Sequence, residues 1–284
     1  MQLDLFAAGG LGPAPSPKTE ALRSAADLAT LSDAAILAAI PDAGIPLVLS
    51  LMREAGRRRL PEAIPVLGRL CRIFAGFGTE REVPEQAIAL DALASIGGQE
   101  ARLVASGLLD GRVIQGPTLK VAVRVAASLR CRLSAATVLP LLRHADPEVR
   151  AIACNIARPQ ADVNAALIEL LTDLDANVRA SSACALGRFG RQEARAALKT
   201  MLRRAPTPVA IEAIAPIADH ECIVLLGRIA GAQTDLTNVA LDALALIDDP
   251  LAFKLAAALP SRMDPRDRDE DAKTTGFRDR SDAS

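Results

Sequence analysis

The sequence predicts an all-α protein: a solenoid of about six to seven stacked helical hairpins, wound as a right-handed superhelix. Three observations lead there. Half of the 284 residues are hydrophobic, and Trp and Tyr are absent. A core of Ala, Leu, Ile and Val favours helices packed from small regular units. The chain also resembles itself at a period near 30 residues, and such a period marks a stack of supersecondary units. Finally, each period reads as two helical segments, and one such pair cannot bury its apolar stripe without neighbours.

The self-similarity is explicit. ALDALASIGGQEAR at 89–102 matches ALDALALIDDPLAF at 240–253, and SACALGRFGRQEARAAL at 182–198 repeats the QEAR ending. LLRHADPEVRAIACNIAR at 141–158 matches LLTDLDANVRASSACALGR at 170–188. The first helix of a unit ends in a Leu-Leu pair. A short turn with Asp follows, and the second helix begins Val-Arg or similar.

In chain order, the first element is MQLDLF. Gln2-Leu3-Asp4-Leu5-Phe6 precede AAGGLGPAPSPKTE, a Gly/Pro-rich stretch that reads as a flexible linker over 7–20. Two leucines and a phenylalanine thus stand outside any foldable segment. They either fold back onto the first helix or occupy a pocket on another molecule. The pentapeptide resembles the bacterial sliding-clamp-binding motif at every position. That resemblance implies that Leu5 and Phe6 fill an apolar pocket on the clamp. Gln2 anchors a second subsite by donating and accepting hydrogen bonds, Leu3 adds apolar contact and Asp4 faces the polar rim.

Residues 21–60 are expected to form an N-terminal helical cap, irregular over 32–60. Arg57-Arg58-Arg59 end a helix there, where cations suit the negative end of the helix dipole. The array itself is expected over 61–259. First helices fall near 62–76, 99–109, 134–144, 162–173, 191–203, 219–230 and 250–258. Second helices fall near 85–96, 117–129, 147–158, 176–188, 207–217 and 236–247. Pro147 and Pro208 suit first-turn positions, and Gly97-Gly98 and Gly187/Gly190 suit helix exits. Residues 260–284 are charged, poor in apolar side chains, and expected to be disordered.

The pattern LLxDxDxxVRxxAxxALGxxG at 170–190 resembles the HEAT repeat, especially its short bacterial form, and the resemblance runs over about 62–258. It implies a hydrogen-bonded Asp–Arg ladder along the stack, with Asp146 and Arg150, and Asp175 and Arg179, as the matching residues.

Net charge is −1, but unevenly spread: −3 over residues 1–100, +8 over 101–204 and −6 over 205–284. Arg124, Arg143, Arg150, Arg179 and Arg188 fall in the basic middle, with Arg130, Arg132, Arg191 and Arg195 beside them. If several share a face they are candidates to contact phosphates or an acidic partner; otherwise they are solvated faces and ladder pairs. Enzyme signatures are missing. Two histidines, His144 and His220, stand 76 positions apart, and no HExxH, GxSxG or P-loop occurs. DNA glycosylases built on similar repeats stack a base on aromatic side chains, and this chain has no Trp or Tyr to do so; iron-dependent deoxyhypusine hydroxylases need repeated His-Glu pairs, and no such repetition occurs; bilin lyases of this repeat type leave no motif here. The five cysteines are at least 23 residues apart, without a metal-knuckle spacing, and read as reduced core thiols of a cytoplasmic protein. Neither a signal peptide nor a membrane span is expected.

The expectation is therefore a bacterial, non-enzymatic adaptor without cofactor or metal. It docks on the sliding clamp through Gln2–Phe6 and presents its repeats to DNA or a protein in replication or repair. The alternative is a general HEAT-repeat scaffold for protein–protein interaction, unrelated to DNA.

Overall fold

The computed structural model describes residues 25–232 and 234–258, and among them every regular element is helical. The expected clamp peptide, the linker and the charged C-terminal segment lie outside the described residues. The chain divides into two compact units, Met1–Ala157 and Arg158–Ser284.

The first unit begins with α1 (Ala25–Thr30), α2 (Asp33–Ala39) and α3 (Ile45–Arg57). Ser32 caps α2 by accepting the Ala35 amide. Although this segment was expected to be irregular, α3 is regular. Val48, Leu51, Met52 and Ala55 form a buried stripe at helical spacing, and α3 packs against α5 as a second helix does. Three hairpins follow: α4 (Ile64–Ile73) with α5 (Pro84–Ile96), α6 (Gly98–Asp110) with α7 (Thr118–Ser128), and α8 (Ala135–Leu142) with α9 (Pro147–Ile156). The first helices α4, α6 and α8 lie side by side in one layer, and α3, α5, α7 and α9 in the other. Leu67, Leu90, Leu93, Leu108 and Leu142 fill the space between the layers.

The second unit repeats the plan with α10 (Ala161–Leu170) and α11 (Ala176–Arg188), α12 (Arg195–Arg204) and α13 (Pro208–Ile214), α14 (His220–Gly231) and α15 (Thr237–Ala245). A last helix, α16 (Pro250–Ala258), packs on α14 and α15. Leu186, Leu198, Ile211, Ile214 and Leu226 form this core.

Helix boundaries follow local chemistry. Pro147 and Pro208 open α9 and α13, as expected, behind the side-chain caps Asp146 and Thr207. The exits of α3, α6, α7 and α11 use a six-to-one bond in which the third residue past the helix donates its amide back to the last turn. Gly190 sits in the left-handed region at one such exit, but Arg59, Arg112 and Arg130 occupy the same conformation after α3, α6 and α7. Gly187, expected at an exit, lies inside α11. A Cβ there would come within 2.4 Å of the Ala213 carbonyl oxygen, so its absence is what lets α11 and α13 touch.

Candidate interaction surface

The arginines divide into those that hold the fold and those that face outward. Arg58 reaches back from the end of α3 to the carbonyls of Leu28, Ala29 and Leu31 at 2.9, 3.0 and 2.7 Å, and to Asp33 at 2.8 Å. Glu54 clamps the same guanidinium at 2.6 Å and receives two bonds from Arg57. Hydrogen bonds from Arg57, opposed by burial and helped by Arg58, hold the Glu54 carboxyl at about 2, well below the usual carboxylate range. The cationic run therefore does complement a helix end, but the end is chiefly that of α1.

Arg102 and Arg195, the last residues of the two QEAR stretches, do one job in two places. Arg102 donates from Nε to the carbonyl of Leu129, just past α7, at 2.8 Å. Arg195 donates from Nε to the carbonyl of Ile217, just past α13, also at 2.8 Å. Each satisfies an orphan carbonyl at a helix C-terminus.

Arg150 and Arg179, candidates for phosphate contact, work on the turns before their own helices. Arg150 Nη1 donates to the carbonyls of His144 and Ala145, both at 2.9 Å. Arg179 Nη1 donates to those of Asp173 and Leu174 at 2.7 and 3.0 Å. Their turn partners serve the helix start: Asp146 accepts the Glu148 amide, and Asp175 accepts those of Asn177 and Val178. Ion pairs also join adjacent hairpins, through lysines and through Arg195 and Arg203, which face Asp219 and Glu221 from α12. Lys120 on α7 pairs with Asp146 and Glu148 at α9. Lys199 on α12 pairs with Asp219 and Glu221 at α14, at 2.6 and 2.8 Å. Burial opposes ionisation of Asp219, but Lys199 and the Cys222 amide outweigh it and hold its carboxyl below the usual range.

Arg124 on α7, Arg143 just past α8 and Arg188 at the end of α11 are exposed. Among the described residues none of the three has a hydrogen-bond or salt-bridge partner. Spacing alone did not single out a further set. On three consecutive second helices of the first unit, α3, α5 and α7, an exposed charged side chain interrupts the apolar pattern: Arg53, Asp91 and Arg124. Arg53 and Asp91 line one groove of about 140 Å³ with Gly56, Ile88 and Ser95. Its floor is formed where α3 and α5 approach closely, since a Cβ on Gly56 would lie 2.9 Å from Ala92 Cα. The available signal was charge interrupting an apolar segment: Arg53-Glu54, Asp91 and Arg124. In the second unit the corresponding exposed charges on α13 and α15 are acidic, Glu212 and Asp242.

Reactive groups are shielded. All five cysteines are free and buried, and burial pushes the Cys71 thiol up to about 12 and raises those of Cys131, Cys184 and Cys222. His144 accepts the Asp146 amide at Nδ1, and exposed His220 opens α14. No group of three or more His, Cys, Asp or Glu able to hold a metal occurs among the described residues. Among them, too, no helix is long and apolar enough to cross a membrane.

Comparison with known proteins follows the same lines. Residues 135–218 match the family model described as HEAT repeats. Among solved structures, the X-ray structure of Escherichia coli YibA is similar at 13% identity, over 78% of this chain and 94% of that one, with a TM-score of 0.45. No curated protein matches the chain.

Proposed function

We infer that this chain is a non-enzymatic, helical-repeat scaffold that holds a protein partner, and that its Gln2–Phe6 peptide recruits it to the bacterial sliding clamp. The observation that carries the scaffold reading is the row Arg53, Asp91, Arg124 on α3, α5 and α7. These charges are exposed, and each lacks a salt-bridge partner among the described residues. A row of alternating sign complements a protein surface of mixed charge, because it selects a partner by matching and by repulsion. It is a poor cradle for a uniformly negative nucleic-acid backbone. The use of Arg150 and Arg179 on backbone carbonyls points the same way. It leaves Arg124, Arg143 and Arg188 as the stronger contacts for an acidic partner.

The clamp reading is finer and rests on the five residues QLDLF. Two apolar anchors beside a Gln suit a small pocketed interface, in which a few residues carry the binding energy. Tethering would raise the effective concentration of the repeats at the clamp without any further contact.

The test is a titration of the full chain against a purified bacterial clamp. Binding is expected for the native sequence and is expected to be lost in Gln2→Ala, Leu5→Ala, Phe6→Ala together. Equal binding by the triple variant rejects the peptide assignment. A parallel titration with duplex DNA separates the readings of the repeats. Weak or absent binding at physiological salt supports a protein partner. Tight binding that collapses as salt rises, and weakens with Arg124→Glu and Arg143→Glu, supports DNA.

A further inference from the structure

The C-terminal end of the second unit presents a cleft that the scaffold reading does not use. Leu246, Ile247, Asp248, Asp249, Pro250 and Phe253 line about 500 Å³ at the turn between α15 and α16. Leu246 and Phe253 are 79% and 75% exposed and share this one cleft, on opposite sides of the turn. The reason is positional. Among the described residues α16 is the last helix, so the side of α15 and α16 that a next hairpin would cover is bare, and repeat arrays need such an end closed. The rim is acidic. Asp249 caps α16 through the Leu251 amide at 2.7 Å, while exposed Asp248 has no partner among the described residues. The site thus asks for one apolar side chain with a cation beside it.

The chain's own continuation supplies that pattern. After Ala258 it runs 26 residues further, and near its end reads Gly276-Phe277-Arg278-Asp279-Arg280. Phe277 is the one aromatic residue there, and two cations follow it. The reach is sufficient. By random-coil scaling, eighteen residues, the number from 259 to 276, correspond to roughly 23 Å root-mean-square. Phe253 lies only about 7.5 Å back along α16 from Ala258, at 1.5 Å per residue. A tether of this length gives an effective concentration in the millimolar range, so a contact too weak to form between separate molecules would still be populated.

We propose that Phe277 docks in this cleft against Leu246 and Phe253, with Arg278 or Arg280 facing Asp248, so that the C-terminal segment closes the end of the repeat array. Hydrogen exchange on the full-length protein tests this. In Phe277→Ser, Arg278→Glu, Arg280→Glu, amides of residues 245–253 are expected to exchange roughly threefold faster or more, with α11–α13 unchanged. The native protection is expected to be independent of protein concentration and to weaken at high salt. In the reciprocal variant Asp248→Lys, the amide resonances of residues 276–280 are expected to shift. Unchanged exchange in the first variant overturns the proposal. Protection that grows with protein concentration also overturns it, and assigns the cleft to a second copy of the chain.

Discussion

Arg195 illustrates how much a single side chain can do that spacing does not announce. Its guanidinium closes the carbonyl of Ile217, a residue of the adjoining helix, and Arg102 does the same for Leu129. Removing the donor leaves a partly buried acceptor unmet, so Arg195→Met, which keeps the apolar stem, is expected to cost about 1–2 kcal/mol. Arg188→Ala, at an exposed side chain without such a bond, is expected to stay within about 0.5 kcal/mol. Urea denaturation midpoints of the two variants make the comparison. The left-handed arginines allow the opposite experiment. A side chain in that conformation costs roughly 1–2 kcal/mol, and glycine returns less than that in chain entropy, about 0.5–1 kcal/mol. Arg130→Gly, at φ 53°, is therefore expected to raise the denaturation midpoint slightly. A drop would show that the Arg130 side chain makes a contribution of its own. These roles were not legible in advance, because the partner of a capping arginine is a backbone carbonyl of another segment. The QEAR repetition did mark the two positions, but only the fold says what they are for.

Between helices, glycines give the clearest contrast. Gly187 and Gly107 both lie inside helices, and the sequence offers no means of telling them apart. Gly187 faces the Ala213 carbonyl, so Gly187→Ala forces α11 and α13 apart and is expected to destabilise by about 1–3 kcal/mol. Gly107 has only the Arg72 guanidinium nearby, 4.0 Å from where a Cβ would lie, so Gly107→Ala is expected to stabilise α6 by about 0.5–1 kcal/mol. Thermal melts of both variants test the pair. The link of α1 and α2 to α3 carries a pH signature. The Glu54 carboxyl is held at about 2 in the folded chain against an ordinary 4.5, so its contribution is full above 4.5 and is lost as pH falls toward 2. In an acid titration followed by helix circular dichroism, Glu54→Gln is expected to be less stable near neutrality and to show a shallower loss over that window. At this scale the sequence was informative. Leu-Leu pairs, Asp turns and N1 prolines marked thirteen helices of hairpins between residues 62 and 258 close to where they lie. It was less informative before them, where α3 proved a regular helix and the prediction was irregular structure, because one isolated amphipathic segment has no neighbouring repeat to be compared with.

At the scale of the whole molecule, ion pairs within each unit join neighbouring hairpins: Lys120 to Asp146 and Glu148, and Arg195 and Lys199 to Asp219, with Lys199 also on Glu221. Stability built this way is close to a sum of hairpin terms and nearest-neighbour terms. A repeat period in the sequence implies this much, but the charges that decide partner choice could not be assembled from it. The basic middle looked like one positive region, whereas Arg150 and Arg179 serve turns, and Arg53, Asp91 and Arg124 alternate in sign. The energetic consequence is testable in one measurement. If stability is local, Gly187→Ala should raise amide exchange most in α11 and α13, less in α14 and α15, and least in α4 and α5. A uniform rise across all helices would mean that the chain opens as one cooperative block, and the nearest-neighbour account of these bonds would have to be abandoned.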